Sequence, residues 1–260
     1  MSARRRPFVV AIGGFDPSCG AGVVADVRSI EAMGAMPAAV VTAITIQSGT
    51  GVRGYAPVPA ARVLAQLDEL LERLPVAAVK IGQVPSVAVA RALARRLADT
   101  GLLVVLDPVL VASGGGSLAA RGVAGAVLAG LVPLSALVTV NLAEAAVLCG
   151  RPVKSIAGMR DAAARIEERG ARAVLVKGGH LRGDPVDVLR EGGKDLLLRS
   201  RRIQGSMHGT GCALASAVAA RLACGDDLDK AVRGARDHVR RLLRGAVKAG
   251  AGRLRAPSSY

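Results

Sequence analysis

Residues 137–177, LVTVNLAEAAVLCGRPVKSIAGMRDAAARIEERGARAVLVK, decide the fold of this chain. They begin with a short apolar and β-branched run, Leu137–Val140, and end with a second one, Ala173–Val176. Between them, helical patterning covers Leu142–Leu148 and Arg160–Arg169. Two buried strands joined through helices predict a parallel pair in one sheet, because parallel neighbours need a long crossover connection.

The same alternation continues on both sides of this segment. Short apolar runs are typical of strands buried on both faces, and apolar residues three and four apart are typical of helices. The chain therefore predicts an α/β fold in which helices cover both faces of a largely parallel sheet. The further predicted strands are Phe8–Ile12, Ala38–Ile46, Val76–Ile81 and Leu102–Leu106, and the further predicted helices are Ala21–Met33, Ala60–Leu74, Ser86–Ala98, Gly211–Ala223 and Leu228–Ala249.

Residues 186–203 depart from the alternation. The runs Val186–Leu189 and Leu196–Ile203 flank the sequence EGGK at 191–194, a pattern typical of a β-hairpin. The chain contains no linker, repeat or low-complexity tract, so we predict one domain over residues 1–260, with flexible ends at 1–7 and 250–260. In such sheets ligands bind beyond the carboxyl ends of the strands.

Composition and charge restrict the class of partner. The formal net charge of +15 would suit a nucleic acid, but two Tyr, two Phe and no Trp leave almost no surface for stacking bases. Around the last predicted helix, Arg233, Arg236, Arg240 and Arg244 lie opposite an apolar face that includes Val247, as expected for a solvated face. We expect no nucleic-acid partner.

Targeting and redox signals are also missing from the sequence. The apolar runs fall short of the roughly 20 residues that span a membrane, and the basic start at residues 1–6 precedes too short a run for a signal peptide. We therefore expect a cytoplasmic protein without a membrane partner. No CxxC spacing occurs, which argues against zinc or a disulfide framework. The four cysteines are Cys19, Cys149, Cys212 and Cys224.

The sequence HGTGC at residues 208–212 opens a predicted apolar helix. Free backbone N–H groups and the helix dipole at such a position bind anions, although the Lys-Ser/Thr of a Walker A loop is missing. Taken alone, the motif is equally well a glycine turn before a helix cap. A cysteine in the first helical turn predicts a lowered pKa for Cys212, and the alternative is a small buried apolar residue.

Three more polar motifs follow predicted strands. Asn141 and Glu144 could cap a helix or face a metal-bound phosphate, and KGGH at residues 177–180 suits either phosphate contact or a plain turn. Asp107 ends a third strand.

The loop at residues 13–22 contains two of the glycines of a dinucleotide fingerprint. Its spacing from the strand is too long for the tight turn, and residues 44–47 offer no acidic partner for a ribose. This loop therefore predicts a flexible backbone surface that closes on a small ligand rather than an NAD site.

The motifs GGxDPSxGAGxxAD, TAxxxQ, KIG, LDPV, NLxE, VKGGH and HGTGC occur in this order. Over roughly residues 8–245 the chain resembles the ribokinase-like superfamily and, more closely, the hydroxymethylpyrimidine/phosphomethylpyrimidine kinases of thiamine biosynthesis. The resemblance implies a three-layer α/β/α fold, ATP with Mg²⁺, and a homodimer. It also implies phosphorylation of 4-amino-5-hydroxymethyl-2-methylpyrimidine and then of its monophosphate.

The resemblance also implies roles for individual residues in a pyrimidine pocket. Gln47 would hydrogen-bond the aminopyrimidine. The pocket would be shaped and lined by Gly14, Asp26, Gln83 and Val109.

The transfer centre implied by the resemblance lies at the other motifs. Glu144 would organise Mg²⁺ through water or phosphate, and Cys212 stands where ribokinase relatives carry an aspartate base. ATP would be bound by Lys177, Asn141, Glu144 and Asp107, and the anion hole would be formed by Gly209, Thr210 and Gly211.

Three positions depart from the family pattern. Phe15 replaces a small polar residue, Cys19 replaces a glycine, and Gln83 stands where a methionine often packs against the ring. These departures leave two alternatives open, a pyridoxal-type kinase and a non-catalytic pyrimidine-binding module. Gln47 favours the pyrimidine, and Cys212 with its polar neighbours favours an enzyme.

Overall fold

The computed structural model describes residues 6–48, 51–110, 118–205, 207–248 and 255–257 of the chain. Most of the predicted flexible ends lies outside these residues. Within the described part, no helix is long and apolar enough to cross a membrane.

Nine strands form one mixed sheet in the spatial order β3-β2-β1-β4-β5-β6-β7-β8-β9. The six strands from β2 to β7 along this order are parallel, and the three outer strands β3, β8 and β9 pair antiparallel with their neighbours. The largely parallel sheet and the hairpin near 186–203 are thus confirmed. The strands are β1 (Phe8–Phe15), β2 (Met36–Ser48), β3 (Gly51–Pro57), β4 (Val76–Ile81), β5 (Leu103–Leu106), β6 (Leu137–Asn141), β7 (Ala173–Lys177), β8 (Val186–Glu191) and β9 (Lys194–Arg199).

Helices cover both faces of the sheet, so the predicted three α/β/α layers are confirmed. α2 to α6 contribute to the hydrophobic core on one face, and α1, α7 and α8 to the core on the other. The helices are α1 (Gly22–Ala32), α2 (Ala60–Arg73), α3 (Val87–Leu97), α4 (Val123–Gly130), α5 (Leu142–Cys149), α6 (Ile156–Glu167), α7 (Thr210–Ala223) and α8 (Leu228–Arg244).

The apolar strand runs supply both cores at once. In β1, Val10 and Ile12 belong to one core, and Val9 and Ala11 belong to the other. Successive side chains of a strand point to opposite faces, so a strand covered on both sides must be apolar at every position. This explains why the central strands show no polar alternation.

The last helix is shorter than predicted. α8 ends at Arg244, not at Ala249, and Ala246–Lys248 forms strand β10, which pairs antiparallel with β11, Arg255–Pro257. Gly245 interrupts the helix, because glycine is a poor helix former. Val247 is therefore not on the apolar face of a helix but is 51% exposed.

Arg236 is also placed differently from the prediction of a solvated face. Its side chain is 12% exposed and pairs with Asp187 of β8 at 2.9 Å. It also donates to the carbonyl oxygen of Leu198 at 2.8 Å. The amphipathic pattern separates polar from apolar faces, but it does not show which charged residues meet a neighbouring element.

Three other elements differ from the prediction: α6 begins earlier, and β3 and α4 are not predicted from the sequence. α6 begins at Ile156 rather than Arg160, because Ser155 caps it by accepting a hydrogen bond from the Gly158 N–H. The sequence GVRGYAP gives no strand signal for β3, since its two glycines and proline are depleted in strands. α4, VAGAVLAG, lacks the polar face that marks a surface helix.

Candidate active site

A cleft lies at the carboxyl ends of the parallel strands. It brings together the residues that the sequence motifs singled out, with the exception of Thr210, which begins α7 and does not line the cleft. The predicted residues that line it are Gly14, Asp26, Gln47, Gln83, Asp107, Val109, Asn141, Glu144, Lys177, Gly209, Gly211 and Cys212.

A buried ion pair forms one wall of the cleft. Lys80 extends from β4 and places its Nζ 2.8 Å from both carboxylate oxygens of Asp26 on α1. Ser216 of α7 donates to the same carboxylate at 2.7 Å. Burial alone would lower the pKa of Lys80, but the charges of Asp26, Cys212 and Asp107 together with the hydrogen bond to Asp26 outweigh it and raise the pKa. Lys80 therefore stays charged in the interior, next to Cys212.

A second ion pair joins β5 and β7. Lys177 Nζ lies 2.9 Å from Asp107, which also accepts a hydrogen bond from Thr139 at 2.9 Å. Burial would raise the pKa of Asp107, yet Lys177 and Lys80 lower it, so the carboxylate is ionised. A Cβ added to Gly211 would lie 3.3 Å from Lys177 Nζ, so the start of α7 borders this pair.

Asn141 and Glu144 form a capping box at the start of α5. The Asn141 Oδ1 accepts from the Glu144 N–H at 2.9 Å, and the Glu144 Oε2 accepts from the Asn141 N–H at 2.9 Å. The helix-cap interpretation of this motif is therefore correct. Burial, with the nearby charge of Asp107, raises the pKa of Glu144 to about 7, although Lys177 opposes the shift. An ordinary exposed cap residue would not have such a pKa.

The donor set of these carboxylates fits Mg²⁺. Mg²⁺ prefers oxygen ligands and usually takes one or two carboxylates together with phosphates and water. A cation beside Glu144 and Asp107 would favour the ionised form of Glu144 against the burial and the charge of Asp107 that raise its pKa. Within the described residues there is no group of three or more His, Cys, Asp or Glu side chains that could hold a metal ion.

The loop before α7 lies against the loop after β1. Gly209 has a φ of +81°, and a Cβ there would come 2.0 Å from the carbonyl oxygen of Gly20, so glycine is required. Buried Asp16 joins the two loops by accepting hydrogen bonds from His208 at 3.0 Å and from the Ala21 N–H at 2.9 Å. In the described part of the chain no side chain caps α7, so its first N–H groups are available to an anion.

The prediction of a lowered pKa for Cys212 is wrong. Burial of the sulfur raises the pKa to about 12, and the negative charges of Asp26 and Asp107 add to the shift. Lys80 and a hydrogen bond from the Gly22 backbone favour the thiolate but are outweighed. Position in the first helical turn lowers a thiol pKa only where solvent or cations can support the charge.

Three residues that build this site lie within the quoted motifs, but the sequence assigned no role to any of them; they are Lys80, Asp16 and His208. Lys80 carries a signal, since a lysine inside the apolar strand VAAVKI must be paired when buried. Asp16 and His208 lie within quoted motifs, but their contact joins positions 192 residues apart. No local pattern reports such a contact.

Comparison with curated proteins agrees with the geometry. The chain is 41% identical over 256 residues to the thiamine biosynthesis bifunctional protein ThiED of Geobacter sulfurreducens, covering 96% of this chain and 52% of that protein. The chain thus spans about half the length of that relative. It is 39% identical to the hydroxymethylpyrimidine/phosphomethylpyrimidine kinase of Streptomyces coelicolor, covering 94% of this chain and 90% of that one.

Solved structures confirm the ribokinase-like fold and identify the family when taken with the sequence. An ADP complex of Bacillus subtilis pyridoxal kinase matches with a TM-score of 0.88 at 27% identity over 98% of each chain. Phosphomethylpyrimidine kinase from Clostridium difficile matches with a TM-score of 0.80 at 29% identity, covering 90% of this chain and 98% of that one. The sequence profile of phosphomethylpyrimidine kinase matches residues 16–256, and the chain therefore belongs to that family.

Proposed function

We propose that this protein phosphorylates 4-amino-5-hydroxymethyl-2-methylpyrimidine with ATP, and then phosphorylates the resulting monophosphate to the diphosphate, in thiamine biosynthesis. The observation that carries the proposal is the meeting of Lys177, Asp107 and Gly211 beside Cys212 in one cleft. This arrangement combines an anion site with a fixed cation. The remainder of the cleft, with Gln47 and Gln83, offers hydrogen-bonding groups to a flat heterocycle.

Charge neutralisation is the main task of this site. Phosphoryl transfer depends more on alignment and electrostatic stabilisation than on strong base catalysis. Lys177 and the N–H groups at the start of α7 would hold phosphate oxygens. Mg²⁺, held by Glu144 and Asp107 through phosphate or water, would neutralise charge on the transferred group when bound.

Cys212 would accept the proton of the hydroxymethyl group. Its sulfur must first lose its own proton to solvent in the cleft, and Lys80 and the Gly22 N–H favour that step. The second transfer uses a phosphate oxygen as the nucleophile, which has no alcohol proton to lose. Cys212 is therefore required chemically for the first transfer only.

Release of ADP in the presence of the aminopyrimidine tests the proposed function. We expect release with the aminopyrimidine and with its monophosphate, and no release above background without an acceptor. The high TM-score to Bacillus subtilis pyridoxal kinase favours a second candidate, so pyridoxal is the comparison substrate. A larger kcat/KM for pyridoxal would establish that alternative, whereas tight pyrimidine binding without ADP release would indicate a binding module.

A further inference from the structure

The protein fixes one end of the Gln83 side chain. Gln83 follows β4 and is 6% exposed. Its amide nitrogen Nε2 donates to the carbonyl oxygen of Leu118 at 2.9 Å. A main-chain carbonyl can only accept, so this contact determines which end of the carboxamide is nitrogen. The backbone is also held, because the Thr42 hydroxyl donates to the Gln83 carbonyl at 2.7 Å.

The other end of the carboxamide, Oε1, lies beside Gly14 in the cleft. No group among the described residues donates a hydrogen bond to Oε1, although Gln83 lines the cleft. A Cβ on Gly14 would lie 2.0 Å from this oxygen, so the oxygen occupies space that exists because residue 14 is glycine. Among the described residues this oxygen is not one of the fully buried atoms without a partner, so it is open to the cleft, and a ligand N–H there could donate to it in place of water.

We propose that Gln83 determines ring specificity by accepting, through Oε1, a hydrogen bond from the exocyclic amino group of the aminopyrimidine. This inference rests on the proposed function. An exocyclic amino group carries two N–H donors, enough for Gln47 and Gln83 together. A hydroxypyridine ring in its phenolate form offers an oxygen instead of a donor, and two acceptors facing each other in a buried site are unfavourable.

The test compares two substrates in two proteins. The substrates are the aminopyrimidine and an analogue that lacks only the amino group, and the proteins are the wild type and Gln83→Met, which keeps length but removes the acceptor. We expect the wild type to prefer the amino compound in kcat/KM. Gln83→Met should lower that preference by about tenfold, the equivalent of one buried hydrogen bond. Most of the change should appear in KM, because the contact forms in the ground state.

Gln66→Met is the matched control. Gln66 also bonds to main-chain groups, those of Val41 and Arg62, but it does not line the cleft. Gln66→Met should leave the kcat/KM preference for the amino compound unchanged.

Two outcomes separate this inference from the proposed function. Turnover of the aminopyrimidine by the wild type tests the function, and failure there would remove the inference with it. Normal turnover combined with an unchanged preference in Gln83→Met would overturn the inference alone. Circular dichroism checks the fold of each variant. If Gln83→Met does not fold, Gln83→Leu with the same two substrates provides the measurement.

Discussion

The sulfur of Cys212 lies among opposing charges. Lys80 favours its ionised form, while burial and the carboxylates of Asp26 and Asp107 favour the thiol, and the thiol form wins. At neutral pH the residue therefore holds a proton that it must release before it can act as a base. The rate of the first transfer should therefore keep rising with pH above neutrality. A cysteine with a lowered pKa would already be ionised there, so its rate would not change.

Replacing Cys212 with alanine should reduce the first transfer far more than the second, because only the first has an alcohol proton to remove. In the wild type, the ratio of kcat/KM for the first transfer to that for the second should rise from pH 7 to 9.5 without levelling. Glu144 and Lys177 serve both transfers, so the ratio cancels their titration. Separate steady-state assays on alcohol and monophosphate measure it. Equal losses in Cys212→Ala would contradict the role.

Replacing Cys19 with glycine should stabilise the folded protein. Cys19 has a φ of +57°, the left-handed region that disfavours residues with a Cβ, and its position is one where the resemblance expects glycine. Cys19→Gly should raise the free energy of unfolding by up to about 1 kcal/mol in urea titrations. Cys224→Gly is the control, because Cys224 has a φ of −77° and gains nothing from glycine. A destabilised Cys19→Gly would show that the thiol makes a compensating contact.

Among the secondary-structure elements, α5 has a first turn that both caps the helix and places a carboxylate in the cleft. Its capping box satisfies backbone groups, but the carboxylate of Glu144 is buried beside Asp107. Because the pKa of Glu144 is raised from its ordinary value of 4.5 to about 7, the native state binds this proton more tightly than the unfolded state. The contribution of this proton to the free energy of unfolding is complete below pH 4.5 and is lost as the pH rises to 7.

The free energy of unfolding of Glu144→Gln, measured relative to that of the wild type, should therefore be higher at pH 8 than at pH 5. The shift corresponds to roughly 2–3 kcal/mol, since one pKa unit is about 1.4 kcal/mol. Urea unfolding at both pH values, followed by circular dichroism, measures the difference. Glu72→Gln, on the exposed face of α2, is the control and should show little change between the two pH values. A pH-independent effect of Glu144→Gln would contradict the raised pKa.

Elements differed in how well their sequences predicted them. β6 and β7 are buried on both faces, so their composition alone marks them. β3 pairs only at the edge of the sheet, where its partner β2 supplies the hydrogen bonds that its glycines would not predict. The meeting of the strand-end motifs in one cleft could likewise be predicted, because a parallel sheet brings the carboxyl ends of its strands together. The Lys80–Asp26 pair could not, since it joins residues 54 positions apart.

In the whole molecule, several arginines of this +15 chain donate hydrogen bonds to main-chain carbonyl oxygens. Arg202 donates to the carbonyl oxygens of Gly179, Leu181 and Gly183. Arg236 reaches from α8 to Asp187, whose other oxygen accepts from the Gly178 N–H next to Lys177. A helix of the outer layer thereby supports the turn that carries a cation of the cleft.

Removing that support should weaken both stability and nucleotide binding. Arg236→Ala leaves the buried Asp187 without its cation, so we expect a loss of about 1–3 kcal/mol in the free energy of unfolding and a several-fold higher KM for ATP. Arg233→Ala is the matched control on the same helix. Its pair with Asp229 is about half exposed and should contribute less than about 1 kcal/mol. An unchanged KM for ATP would show that the turn does not need α8.

The link between Asp16 and His208 has a consequence for how the protein matures. The two residues are 192 positions apart, and Asp26 and Ser216 are 190 apart. Because both contacts join the beginning of the chain to its last quarter, the ribosome must release the chain through His208 before the first can form and through Ser216 before the second. Contacts this distant carry a high loop-closure cost and form late in folding. Enzymatic activity would then report folding that includes the last quarter of the chain, since a nascent chain that ends before Cys212 lacks one side of the cleft.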